Sequence, residues 1–204
     1  MADPLHPALA VAGPSGAGKS EFSRRIQDVF ILEMDEYFND YRIKEYYLRP
    51  EWDTPGAYDL ALLDEHGGRL LRGEKVRLAH FNFQTGCREE GPELRLAAGQ
   101  ALLVEGLYAF RVNLPYARRI YLDASFPLMV ERCLPRDQTQ RGRTDLKKIL
   151  GMYEASWRKY AKVLFPQKEE ADLLLAADWM DWLPERLSLN EVLHGGIARP
   201  YSTR

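Results

Sequence analysis

Short apolar runs alternate with helical patterns along this chain. The apolar runs, which predict strands, cover residues 8–12, 29–34, 76–83, 101–105, 119–123 and 172–176. The stretches with apolar positions three and four residues apart, which predict helices, cover residues 19–27, 59–71, 127–134 and 146–164. Strands that alternate with helices are typical of a parallel sheet covered by helices. We therefore expect an α/β fold with three layers, in which helices lie on both faces of a mostly parallel sheet.

Local signals refine the ends of these elements. Asp59 is suited to cap the helix that follows it, because its side chain can accept a hydrogen bond from a free backbone N–H group. Pro135 is expected to end the helix that begins at residue 127. The tail, residues 178–204, is expected to hold a helical segment followed by loose residues.

A glycine-rich segment joins the first strand to the first helix. It reads Gly-Pro-Ser-Gly-Ala-Gly-Lys-Ser and satisfies the phosphate-binding pattern GxxxxGK[ST]. Glycines let the backbone curl so that its N–H groups point at phosphate oxygens, the lysine reaches the β- and γ-phosphates, and the final hydroxyl binds Mg²⁺. The segment predicts a site for ATP and Mg²⁺ formed by Gly13, Ser15, Gly16, Ala17, Gly18, Lys19 and Ser20.

Acidic residues follow several of the predicted strands. Asp35, Glu105 and Asp123 stand at strand ends, and ligands of open parallel sheets bind at that edge. Asp35 and Glu105 are candidates to hold Mg²⁺ or to accept the proton of an attacking hydroxyl, although each could instead cap a turn. Of the neighbours of Asp35, Glu33 lies deeper in its run and Glu36 is expected to point away.

A basic stretch, residues 132–148, follows the fifth strand. We call it the lid segment. It has a net charge of +4 in a chain whose net charge is −2. Mobile arginines could close on a phosphoryl group during its transfer, although a solvated helix face or a nucleic-acid patch could have a similar charge. The basic residues are Arg132, Arg136, Arg141, Arg143, Lys147 and Lys148.

Composition limits the remaining possibilities. The chain has 204 residues, 46% of them apolar, which predicts one domain with a sizeable core. Two separated cysteines and no leader or long apolar run indicate a cytoplasmic protein. The small net charge predicts neither nucleic acid nor a membrane as a partner, and the oligomeric state stays open.

The order of the motifs resembles the phosphoribulokinase/uridine kinase family of P-loop kinases, from about residue 9 to residue 176. The phosphate-binding loop is followed by Met-Asp-Glu-Tyr-Phe at 34–38 and by Glu-Trp-Asp-Thr-Pro-Gly-Ala-Tyr-Asp at 51–59. Glu-Gly follows at 105–106, and Arg-Asp and Arg-Gly-Arg stand at 136–137 and 141–143. The resemblance implies a kinase that transfers the γ-phosphate of ATP to a small-molecule hydroxyl.

The resemblance also implies roles for particular residues. Asp35 would be the catalytic base, and Lys19, Arg136 and Arg141 would act on the transferred phosphoryl group. Glu105 would lie near the metal with Ser20. The remaining candidates would contact substrate (Asp53, Tyr37, Phe38 and Phe81) or the phosphates of ATP (Arg143).

The acceptor is the part of this interpretation that stays open. Phe81 stands where a tyrosine is usual in relatives that bind uridine, and Gly86 stands where a histidine that contacts the base is expected. A nucleoside such as uridine is one candidate acceptor. A pentose derivative, a vitamin precursor and a small hydroxy acid are the others. An ATP-dependent regulatory switch is the alternative outside the enzymes.

Overall fold

Five of the six predicted apolar runs form strands of one parallel sheet, and the sixth, residues 76–83, lies in a separate hairpin. The computed structural model describes residues 5–197. Strands β1 to β7 are, in chain order, Ala8–Ala12, Val29–Glu33, Val76–Asn82, Cys87–Leu94, Ala101–Gly106, Tyr116–Leu122 and Leu173–Leu175. Within the described residues, five strands pair side by side in the order β2-β5-β1-β6-β7, and each pair is parallel. The predicted parallel sheet is confirmed.

Helices connect the strands. Helices α1 to α5 are Lys19–Arg25, Leu60–Leu71, Phe126–Thr139, Leu146–Val163 and Leu189–His194. Short 3₁₀ turns lie at Met34–Tyr37, Tyr46–Leu48, Pro55–Ala57, Ala109–Arg111, Phe165–Glu170 and Trp179–Asp181. The Asp59 side chain caps α2 as predicted, because it accepts a hydrogen bond from the Leu62 backbone N–H at 3.1 Å.

The central strands are apolar on both faces. In β1, Ala8, Ala10 and Ala12 pack into a core that also contains residues of α2, α3 and α4. Leu9 and Val11 point to the opposite side and pack with residues of α1 and α5. Successive side chains of a strand alternate between faces, so this continuous apolar run requires cover on both sides. The three layers and the helices on both faces are confirmed.

Two parts of the fold differ from the sequence prediction. Strand β4 was not predicted, because its polar sequence has no apolar alternation; it pairs antiparallel with β3 in a separate hairpin. Helix α3 does not end at Pro135 but continues to Thr139. Pro135 is exposed, so its ring meets solvent, and the helix tolerates one missing N–H donor.

The tail contains the predicted helical segment. Helix α5 begins with a capping box formed by Ser188 and Glu191 and ends at Gly195, which has a left-handed backbone. The loose residues predicted after it lie largely outside the described residues. Among residues 5–197, no helix is long and apolar enough to cross a membrane.

Candidate active site

A cleft of about 490 Å³ opens at the carboxyl edge of the sheet. The phosphate-binding loop forms one wall between β1 and α1. The Lys19 ammonium group donates a hydrogen bond to the Pro14 carbonyl oxygen at 3.1 Å, so it folds back over the loop. Burial lowers the pKa of Lys19, while the carboxylates of Glu105 and Asp35 oppose that shift. A partly desolvated ammonium group above a glycine-rich loop is suited to bind phosphate oxygens.

Residues distant in sequence hold the loop in shape. The Trp179 indole N–H donates to the Ala17 carbonyl oxygen at 3.0 Å, and the Arg132 guanidinium donates to the Gly16 carbonyl oxygen at 2.9 Å. Gly18 has a φ of +89°, and a side chain there would collide with Trp179 and Met180. Trp179, in the C-terminal part of the chain, and Arg132, on α3, therefore both hold the loop in position.

Glu105 ends β5 beside the loop. The Ser20 hydroxyl donates to Glu105 Oε1 at 2.7 Å. Glu105 Oε2 is buried and has no hydrogen-bond partner among residues 5–197. Burial raises the pKa of Glu105, while Lys19 and the Ser20 hydrogen bond oppose the increase. A buried carboxylate oxygen without a partner, next to a serine hydroxyl, offers oxygen ligands of the kind that bind Mg²⁺ together with water and phosphate oxygens.

Asp35 faces the cleft from the turn that follows β2. Its carboxylate lies 3.4 Å from the Arg141 guanidinium nitrogen Nη2. Glu36 instead accepts a hydrogen bond from the Phe81 backbone N–H at 2.7 Å, so it points toward the β3–β4 hairpin as predicted. Glu33 was expected to lie deeper in its run, yet it also lines the cleft. Partial burial and the like charges of Glu105 and Asp35 raise the pKa of Glu33 to about 7.

The lid segment divides into two parts. Arg136 and Arg141 line the cleft, where their charge can meet phosphate oxygens. Arg143 does not. It is buried, pairs with Asp137 at 2.7 Å and lies over the Tyr47 ring at 4.2 Å. In this structure that ion pair and ring contact hold Arg143 behind the cleft, whereas the sequence led us to expect a mobile residue beside the nucleotide.

The other half of the cleft is lined by aromatic rings and Asp53. Phe38 stacks between Trp52 and Tyr58, with ring centroids 4.3 and 4.4 Å away. Asp53 has a φ of +55°, and its carboxylate accepts a hydrogen bond from the Tyr160 hydroxyl at 3.3 Å. Burial raises the pKa of Asp53. A carboxylate beside aromatic faces is suited to bind the hydroxyls of a small polar molecule.

Three other candidates lie outside the cleft. Tyr37 is buried, and its hydroxyl bonds His66 Nδ1 at 3.0 Å. Phe81 is buried against the rings of Phe38 and Phe83. The predicted contacts of Tyr37 and Phe81 with substrate are not supported, because the same apolar core takes up both side chains. The Asp123 carboxylate pairs with Lys168 at 2.8 Å.

Some residues in and around the cleft were not assigned a role of their own from the sequence. Glu33 and Arg132 line the cleft, and Asp137 pairs with the arginines beside it. Tyr160 links the two halves, since its hydroxyl lies 3.3 Å from both Ser15 Oγ and Asp53 Oδ2. The basic stretch and its Arg-Asp pair were the sequence signals for Arg132 and Asp137. Tyr160 has the spacing of a core residue on α4, so the sequence contains no signal for it.

Several known proteins are similar to this chain in sequence or in fold. Uridine kinases from Borrelia turicatae and from a Geobacillus species are 27% and 28% identical, and each alignment covers 82% of this chain and 84% of the relative. The solved structure of a possible uridine kinase from Bacillus stearothermophilus superposes with a TM-score of 0.53 at 16% identity, covering 86% of this chain and 91% of that one. A protein provisionally named a fructose transport system kinase, from Silicibacter sp. TM1040, has a TM-score of 0.56 at 17% identity, covering 84% and 90%.

The family model extends over most of the chain. The model of the phosphoribulokinase/uridine kinase family matches residues 8–178, which run from the start of β1 to just beyond β7. The match includes the loop, both carboxylates at the sheet edge and the lid segment. The chain therefore belongs to the phosphoribulokinase/uridine kinase family.

Proposed function

We propose that this protein transfers the γ-phosphate of ATP, bound with Mg²⁺, to a hydroxyl of a small molecule. The observation that carries the proposal is the convergence at one cleft of Lys19, the Ser20–Glu105 pair and Asp35, with Arg141 beside Asp35. A phosphoryl-transfer site needs a cradle for phosphates, ligands for a metal, a proton acceptor and cations for the transferred group. Membership of the kinase family supports ATP as the donor.

Each side chain then has a definite task. The loop amides and Lys19 bind the phosphates of ATP, while Ser20 and Glu105 would hold Mg²⁺ through the hydroxyl and the free Oε2 atom. When bound, Mg²⁺ would neutralise charge on the β- and γ-phosphate oxygens. Asp35 accepts the proton of the attacking hydroxyl, and Arg136 and Arg141 balance the charge of the transferred group.

Asp53 orients the acceptor in this proposal. Its carboxylate accepts hydrogen bonds from acceptor hydroxyls, and Tyr160 holds the carboxylate in place from behind. Because the Tyr160 hydroxyl also lies beside Ser15 of the loop, the same tyrosine fixes the distance between the bound acceptor and the bound phosphates. Correct spacing of reacting atoms is a large part of catalysis in phosphoryl transfer.

The names of the relatives support a nucleoside such as uridine as the acceptor. One observation favours a more compact acceptor instead. Gly86 has a φ of +70°, and any side chain there would collide with the Ile43 carbonyl oxygen and the Tyr46 ring. Position 86 therefore has no room for a larger side chain that could contact a nucleoside base. For this reason the second candidate is an acceptor without a base: a pentose derivative, a vitamin precursor or a small hydroxy acid.

A substrate screen tests both the proposed kinase activity and the proposed class of acceptor. Purified protein is incubated with Mg·ATP and one compound at a time from a panel of nucleosides, pentose derivatives, vitamin precursors and hydroxy acids, and ADP formation is measured. We expect ADP formation to depend on one class of acceptor. Equal ADP formation with and without every compound would contradict the kinase assignment, since it would indicate hydrolysis or no reaction. Activity with uridine alone would favour the nucleoside over the compact acceptor.

A further inference from the structure

A buried carboxylate lies at the centre of the lid segment. Asp137 is fully buried on α3, yet its two oxygens face three guanidinium groups. Arg136 lies 3.1 Å and Arg141 3.7 Å from Oδ1, and Arg143 lies 2.7 Å from Oδ2. The Tyr153 hydroxyl donates a further hydrogen bond to Oδ2 at 3.0 Å. One anion therefore organises three cations, and the cluster keeps an excess of positive charge.

The three arginines point in different directions from this carboxylate. Arg136 and Arg141 extend into the cleft, and Arg141 also approaches Asp35 at 3.4 Å. Arg143 extends the opposite way and lies over the Tyr47 ring. Asp137 thus connects Arg136 and Arg141, which line the cleft, with Arg143, which packs on Tyr47 beside the aromatic half of the cleft.

The energetics favour a positioning role over simple stabilisation. Burial opposes ionisation of Asp137, but the guanidinium groups of Arg143, Arg136 and Arg141 hold its pKa below the usual range. Buried ion pairs contribute little net stability, because desolvation offsets most of the attraction, and they are often retained for specificity of structure. Long arginine side chains have many rotamers, so an anion that restricts them lowers the entropy cost of binding phosphate.

On the basis of the proposed function, we propose that Asp137 is the positioning residue of the lid segment. Its carboxylate holds Arg136 and Arg141 where the γ-phosphate binds. Removing it would release both side chains, so the site would lose its ability to distinguish a nucleoside triphosphate from a diphosphate. Affinity for the diphosphate would persist, since the loop amides and Lys19 bind the phosphates that both nucleotides share.

Binding of Mg·AMP-PNP and Mg·ADP to the full chain tests this role by calorimetry. Asp137→Asn alone leaves Arg143 buried without its anion, so the test variant combines Asp137→Asn with Arg143→Gln and removes both partners. We expect the preference for AMP-PNP over ADP to fall about tenfold in the double variant, the usual scale for lost charge-assisted contacts. Arg143→Gln and Tyr153→Phe, each alone, are the matched controls and should keep the preference of the parent within about twofold.

The outcomes separate this role from the proposed function. A double variant that melts normally and keeps the parent preference would overturn the role of Asp137, as would a parent that binds both nucleotides equally. A preference that Arg143→Gln alone removes would assign the effect to Arg143 and contradict the role. A parent that binds neither nucleotide would overturn the proposed function itself, and with it the role of Asp137.

Discussion

The nucleotide half and the acceptor half of the cleft are built in different ways. The nucleotide half lies on the parallel sheet, where β1 and β5 end side by side and carry the loop and Glu105 to one edge. The acceptor half comes from residues 36–59 and the β3–β4 hairpin, which lie outside that sheet. Its wall is a cluster of aromatic rings in contact with Phe38.

In the proposed function, the first half would bind phosphate, a task common to many proteins, and the second half would select the acceptor. Regular strands and a short motif are enough to create a phosphate site, because backbone amides supply most of its donors. The acceptor half depends on how large side chains from distant segments pack, so a few substitutions can change the molecule it accepts while the nucleotide half stays intact. Function in such folds resides in the site rather than in the fold.

Substitution in the nucleotide half should have the largest effect. Lys19→Ala should abolish measurable turnover, because it removes the ammonium group that lies over the loop. The melting temperature should change little, since the ammonium group makes a single hydrogen bond to the loop. Turnover in a Mg·ATP assay and a thermal melt measure both quantities. Parent-like turnover in the variant would contradict the phosphate-binding role of the loop.

Asp35 connects the two halves, and its removal should rank next. Asp35→Asn keeps the shape and removes the proton acceptor, so turnover should fall by about 10²- to 10⁴-fold. Affinity for Mg·ATP should stay within a few-fold, because Lys19 and the loop amides carry that binding. Glu33→Gln is the control, because Glu33 also lines the cleft. A larger loss in Glu33→Gln than in Asp35→Asn would reassign the base.

Two arginines of the lid segment, Arg141 and Arg143, should respond in different ways to removal. Arg141→Ala should reduce turnover by about 10²-fold and leave the melting temperature almost unchanged. Arg143→Ala should lower the melting temperature by roughly 10 °C, because it leaves the Asp137 carboxylate with fewer partners in a buried site. Melting curves and turnover measurements on both variants test these two expectations. An Arg143→Ala protein that melts like the parent would show that its buried pair is dispensable.

The smallest expected effect concerns the pH dependence of stability. The pKa of Glu33 rises from 4.5 to about 7 in the folded protein, so the folded state binds this proton more tightly than the unfolded state. Glu33 therefore costs stability progressively as pH rises from 4.5 through 7. Glu33→Gln should melt only about 2 °C above the parent at pH 8, because Glu33 is exposed and solvent screens much of the effect, and the difference should nearly vanish at pH 4. A constant difference at both values would contradict this account.

Local sequence features predicted the parallel sheet and placed the glycine-rich loop and Glu105 at its carboxyl edge. Continuous apolar runs such as β1 and β5 predict strands that are buried on both faces, and an acid at the end of such a run must emerge at the edge of the sheet. Glu105 was identified in this way, whereas its hydrogen bond with Ser20 was seen only in the structure. Only β3 of the β3–β4 hairpin was predicted. The sequence of β4 is polar, so β4 forms a strand because it pairs with β3 and not because of its own apolar pattern.

The orientation of side chains outside the sheet could not be predicted in this way. Tyr37 and Phe81 stand close in sequence to cleft residues, yet both turn into the core. Arg141 and Arg143 are two residues apart and belong to the same motif, yet one lines the cleft and the other is buried. Sequence motifs record the type and spacing of residues, whereas the direction of each side chain depends on what packs against it.

The amino-acid sequence was enough to predict a parallel sheet with a glycine-rich loop of the phosphate-binding type at one edge, because strand periodicity and such a loop depend on a few neighbouring residues. The folded structure was needed to show that Tyr160 links Ser15 to Asp53, that Asp137 pairs with three arginines and that Gly86 has no room for a side chain. The contacts of Tyr160 and Gly86 join residues that are far apart in the chain. The Asp137 cluster is local in sequence, but its energy depends on the burial of the carboxylate, which exists only after the chain has folded.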